Sequence, residues 1–274
     1  MSKKKAIVKV KPNFPTPPDY MAGQPDGTDL LREYVVPPRL KVVQKQADEM
    51  LLTKFGVGDV IIVPSMSLVS KMSVDARHRP TGKGEVFVVT PIFFFVEWCT
   101  WNPLELKGKS PAILARTLNP QHEIAQKAKN PDLRKETHPD HPEYQLRHVE
   151  HLNFLVMLGG GELADSLKGE PVILTFARGE HAAGRRFCSM AQMRRAPIYG
   201  CVFEVHTALR ENSLGSWWGL DVSNPGPEVE PWVDAPTFEE YKAAHLRFKE
   251  LHERQLVQPD YESGEGEGED KPDM

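Results

Sequence analysis

Five arginines, Arg178, Arg185, Arg186, Arg194 and Arg195, crowd residues 178 to 195 against the single acid Glu180. Guanidinium groups stay charged and offer a planar fork of donors, so this density suits phosphate binding. The arginines lie between a short apolar strand, Val172 to Phe176, and a long strand expected from Ile198. Alternation along the long strand puts Tyr199, Cys201, Phe203, Val205 and Leu209 on one face, with Glu204 and His206 on the other. Asn212-Ser213-Leu214-Gly215 reads as a hairpin loop. The return strand sets Trp218, Leu220 and Val222 on one face and Trp217, read as outward-pointing, on the other. Basic side chains beside an exposed aromatic on twisted antiparallel strands hold phosphates and stack bases. The same residues also fit a solvated helix face and a packed hairpin.

Other chemistry is weaker in the sequence. Gly159-Gly160-Gly161 lacks the Gly-Lys-Ser/Thr ending of a phosphate loop, is followed by Glu162 and Asp165, and reads as a tight turn. His138-x-x-His141 and His148-x-x-His151 crowd one segment, where a four-histidine metal site competes with solvent-exposed loop histidines. No Ser or Cys sits in a recognisable nucleophile setting. Glu204, His206 and Asp221 can be neighbours on one polar sheet face and form a trio for a divalent metal. The expectation is a protein that is not an enzyme, with no cofactor and no metal.

The elements that must position these residues are mostly strands. Val60 to Val63 follows a turn, a short helix is expected within Gln46 to Thr53, and Leu31 to Gln44 is an entry or edge segment broken by Pro37-Pro38. Glu85 to Trp101 is apolar on both faces, hence central, with a bulge expected at Pro91. Residues 102 to 150 are polar and proline-broken, a long excursion with a short helix at His122 to Lys129, before a strand at His151 to Leu158. Residues 224 to 259 read as a proline-rich linker and a helix. The helix is expected to open at the capping box Thr237 to Glu240 and to bury Phe238, Tyr241, His245, Phe248 and Leu251 on one stripe.

Charge is distributed unevenly. The chain carries −4, but residues 260 to 274 hold seven acids and one lysine, so the rest is mildly basic at +2. The tail has too little apolar content to offset its ordering entropy and is expected to be disordered. Residues 1 to 28 form a lysine- and proline-rich arm. The N-terminus shows no secretory signal pattern, no apolar run is long enough to span a bilayer, and three scattered cysteines fit a reducing, cytoplasmic setting. About seven short strands and one amphipathic helix indicate a mainly β fold, a small barrel or sandwich.

This β-rich body, with the PIYGCVFEV and SWWGLDV strand pair, the long excursion, the C-terminal helix and the acidic, glycine-spaced tail, resembles the single-stranded-DNA-binding proteins of tailed bacteriophages. The resemblance implies an OB-like antiparallel β-barrel over residues 29 to 223, with 102 to 150 inserted. Phosphates would run along Arg77, Arg79, Lys83, Arg178, Arg185, Arg186, Arg194 and Arg195. Bases would stack on Trp217, with Trp101 and Tyr199 as further candidates. The tail, through Glu265, Glu267, Glu269, Asp270 and Asp273, would compete with DNA and recruit replication proteins such as a polymerase or helicase-primase. The implied setting is the host cytoplasm, without a membrane partner and with room for a homo-oligomer. The rival classes are a structural or scaffold protein of a viral particle and a metal-dependent nuclease-like enzyme.

Overall fold

The computed structural model describes residues 36–45, 47, 49–74, 80–106, 111–161, 167–169, 171–212, 215–257 and 259. The basic arm, Arg77, Arg79, Glu162, Asp165, the tip of the 212–215 loop and the acidic tail lie outside them.

The fold is mainly β, as the sequence indicates. Its strands, in chain order, are β1 (Arg39–Val42), β2 (Val60–Val63), β3 (Ser67–Ser70), β4 (Met72–Val74), β5 (Pro80–Gly84) and β6 (Phe87–Trp101), then β7 (Ile113–Thr117), β8 (Lys135–Thr137), β9 (Gln145–Gly161), β10 (Pro171–Ala177), β11 (Phe203–Asn212) and β12 (Gly215–Ser223). The helices are α1 (Glu49–Lys54), α2 (Glu123–Lys129), α3 (His181–Met193) and α4 (Ala235–Glu253). The sheet runs β3-β2-β1-β10-β9-β6-β11-β5-β4, with β12 on β11, β7 on β6 and β8 on β9. Every pairing is antiparallel except β1 with β10. It curls into a nearly closed, OB-like barrel, and side chains span the seam. Gln44, just past β1, donates to Trp218 O at 2.7 Å and accepts from Trp218 N at 3.0 Å.

The barrel is filled. Leu40, Val60, Phe87, Phe154, Phe176, Phe203 and Trp218 point inward, and α3 lays Ala183, Phe187 and Ala191 among them. The Phe154 and Phe187 rings stack at 4.3 Å. Gly184 permits that approach, because a Cβ there would sit 2.8 Å from the Phe176 Cβ. The sequence shows the arginines of α3 more plainly than its small apolar stripe of Ala183, Phe187 and Ala191, which is why this helix reads as a basic segment.

The other face of the sheet carries α4. Tyr241, Phe248 and Leu251 cover Ile92, Phe95, Leu155 and Ile173, with Tyr199 beside them. The expected bulge lies between Pro91 and Phe93, and the Ile92 carbonyl stands 2.8 Å from His245 Nδ1. The helix starts earlier than the capping box suggests: the Asp234 carboxylate accepts from Thr237 N at 2.8 Å and caps it, three residues before the expected cap, with Pro236 in the first turn. The long strand also starts later than expected. Residues 198–200 make a 3-10 turn, Cys201 forms a lone bridge to Trp232, and the β11 ladder begins at Phe203. The excursion has the expected short helix, α2, which buries Ala125 and Ala128 against Trp98. Beyond α4 the chain returns to the sheet, where Arg116 Nη1 donates to Pro259 O at 3.2 Å.

Candidate nucleic-acid interface

The β11–β12 register fixes one polar face of the hairpin. Arg210 lies opposite Trp217, Ala208 opposite Gly219, His206 opposite Asp221 and Glu204 opposite Ser223. Lys83 of β5 pairs with Ala208 from the other side. Ala208 and Gly219 therefore make a small-residue floor between larger polar neighbours. Gly219 is required there: a Cβ would come within 2.7 Å of Arg210 Nε and 2.8 Å of Glu180 Oε1.

Glu180, only 1% exposed, accepts from Leu220 N at 2.9 Å, while Arg210 Nη2 donates to Leu220 O at 3.0 Å. Arg186 from α3 pairs with Asp221. Positive charge thus gathers about His206. Desolvation first, then Lys83, Arg186 and Arg210, with Glu204 opposing, lower its pKa to about 4, so the ring is neutral at neutral pH. Three buried nitrogens on this face have no hydrogen-bond partner among the described residues: His206 Nδ1, Arg210 Nε and Trp217 Nε1.

Trp217 corrects the sequence reading. It faces away from the barrel interior but is 7% exposed and offers no open ring face for stacking. Alternation assigns a side, not its exposure, and on this side the Trp217 ring is enclosed while Lys83 and Arg186 are exposed. Among the described residues the exposed aromatic is Trp232, at 41%, in the linker after β12. Arg194 lies beneath it, its guanidinium 5.4 Å from the Trp232 ring centroid and 4.6 Å from that of Phe203. Arg194 also donates to Pro231 O at 2.8 Å and Asn224 Oδ1 at 2.9 Å, so it anchors the linker. Sequence reasoning missed Trp232 because no periodic element contains it. It missed Arg210 although its parity with Glu204 and His206 was legible.

The remaining expected residues divide into groups. Arg185 and Arg195 are exposed on and just after α3, and Lys83 is exposed on β5. Arg178 stands instead beside His151. Trp101 is half-buried with its edge on His151, ring centroids 5.8 Å apart. Tyr199 packs on Phe238 and His245 under α4, which removes it from a base-stacking surface.

The metal readings from sequence do not assemble among the described residues. Glu204 accepts from Gly226 N, and Asp221 is engaged by Arg186 and Val222 N. His148 pairs with Glu136 and Thr100, while His138 caps the turn at Asp140 and His141. The one converging set of metal-type ligands among the described residues is Glu97, Cys99 and His151.

The model of one family, the Pam3 phage gp34-like proteins, matches residues 65–253 of this chain. No curated protein and no solved structure matches significantly. The match spans the barrel from β3 to the end of α4, more than half of the 274 residues, and the chain belongs to the Pam3 phage gp34-like protein family.

Proposed function

We propose that this phage protein binds single-stranded DNA during replication or recombination in the host cytoplasm, as a binding protein and not an enzyme. The observation that carries the reading is a basic strip along β12. It begins at Lys83, Arg210 and Trp217, passes His206 and Arg186, and reaches Asn224, Arg194 and the exposed Trp232. Seven residue steps from Trp217 to Asn224 give it a length of roughly 23 Å. Phosphates are attracted by Lys83, Arg185, Arg186, Arg195 and Arg210. A base stacks on the open side of Trp232. The acidic tail of net charge −6 competes for the strip and recruits replication proteins when displaced.

Fluorescence anisotropy with labelled single- and double-stranded oligonucleotides across a salt series tests this. Single-strand preference with steep salt dependence is the expected result. Flat salt dependence or duplex preference overturns it and favours a structural role in the virion.

A further inference from the structure

A second polar site lies in the middle of the sheet. Glu97 and Cys99 are two apart on β6 and share a face, and His151 on β9 is the cross-strand partner of Glu97. Glu97 is 2% exposed, Cys99 0% and His151 3%. One ligand atom from each lies within 4.8 Å of the others. An ion with bonds of about 2.0–2.3 Å holds tetrahedral ligand atoms about 3.5 Å apart, so small side-chain rotations would close the set.

We propose that Glu97, Cys99 and His151 bind a divalent transition-series cation of the zinc type, leaving one coordination position open. The donor set selects the ion: thiolate and imidazole beside one carboxylate suit zinc or cobalt and not magnesium or calcium, which take oxygen ligands. Placement supports function over packing. Apart from Thr100, β6 from Ile92 to Trp101 is otherwise Phe, Val, Ile and Trp, and ionisable groups gathered on one face of such a strand mark a functional site.

Charge decides what fills the open position. A divalent ion displaces the thiol proton, a net gain of one positive charge, in a place already bordered by cations. Arg116 Nη1 is 3.8 Å from Glu97 Oε1, and Arg39 and Arg178 stand near His151. These arginines oppose a bare cation and favour an anion on its fourth position, whether hydroxide, a carboxylate or a phosphate oxygen. The site binds metal and anion together. It is separate from the β12 strip, and its test is independent of DNA binding.

The test is titration of the full-length protein, stripped with chelator, with Zn2+ and with Co2+ under reducing conditions. Uptake of about one ion per chain is expected, with the Co2+ form showing thiolate-to-cobalt charge transfer and strong tetrahedral visible bands. Cys99→Ala abolishes the charge-transfer band and weakens uptake roughly 100-fold or more, while Cys188→Ala leaves both unchanged. If Cys99→Ala fails to fold, the wild-type band together with its persistence in Cys188→Ala and Cys201→Ala carries the assignment. Uptake below about 0.1 ion per chain in the wild type, or uptake without a thiolate band, overturns the proposal.

Discussion

The side-chain amide of Gln44 forms with the backbone of Trp218 the two hydrogen bonds that a neighbouring strand would otherwise make, donating at 2.7 Å and accepting at 3.0 Å. Two residues further along β12, Glu180 and Arg210 do the same for Leu220 N and O. A strand edge with unmet N–H and C=O groups is a template for pairing with another chain. Here side chains cap that edge.

Gln44→Ala leaves two buried backbone groups of Trp218 without partners. At about 1–3 kcal/mol each when the partner is lost, the expected destabilisation is roughly 2–6 kcal/mol. Urea unfolding reads it directly, and a change below about 1 kcal/mol means water or a neighbour takes over the bonds.

Trp232 and Trp217 should separate binding from stability. Trp232→Ala is expected to weaken single-strand binding by about 1–3 kcal/mol with little loss of thermal stability. Trp217→Ala is expected to lower the melting temperature, since its indole is buried, by an amount equivalent to roughly 3–5 kcal/mol. Paired anisotropy and thermal melts decide. A Trp232→Ala protein that binds normally removes the stacking assignment.

Lys83 and Arg185 are exposed and form no ion pair among the described residues, so they can be neutralised without stranding a buried acid. Lys83→Gln with Arg185→Gln should flatten the log–log salt dependence by about 0.7 per lost phosphate contact, or about 1.4 together. Arg186 is a poorer probe, because its removal releases Asp221 into the strip. An unchanged slope would place the phosphates elsewhere.

His206 makes both stability and binding depend on pH. Its folded pKa of about 4 lies below the unfolded value near 6.5, so the unfolded chain takes the proton first. The linked stability is full above about pH 6.5 and declines as pH falls towards 4. A phosphate among Lys83, Arg186 and Arg210 offsets their effect on the ring, so binding should tighten over the same descent. Glu204 works in the same direction as the phosphate, and Asp221, opposite His206 across the hairpin, is held by Arg186. Denaturation midpoints and affinities at pH 7 and pH 5, with His206→Gln as reference, check both trends. Parallel behaviour of variant and wild type excludes His206 as the source.

Deleting residues 260 to 274 removes a charge of −6 tethered to the body. Such a tether can act at millimolar effective concentration, so deletion should tighten single-strand binding most at low salt, where screening is weak. Unchanged affinity across the salt series would reduce the tail to a solubilising role.

The sequence made the strand framework legible where periodicity and composition agree. The apolar β6 with its proline bulge and the β11–β12 hairpin faces follow from alternation, and the covered stripe of α4 follows from its helical spacing. What it hid depends on long-range contact. Gln44 and Trp218 are 174 residues apart, so neither residue type hints at the seam. Alternation put Trp217 on the polar face but carried no information about its burial. Glu97, Cys99 and His151 converge only when β6 and β9 are paired in register, and in sequence Cys99 is one of three scattered thiols.

Arg116 ties the end of the C-terminal segment to β7 through Pro259 O, and the same guanidinium faces Glu97. Arg116 is therefore shared by two contacts, so whatever displaces Pro259 from the sheet also frees the cation that stands beside Glu97.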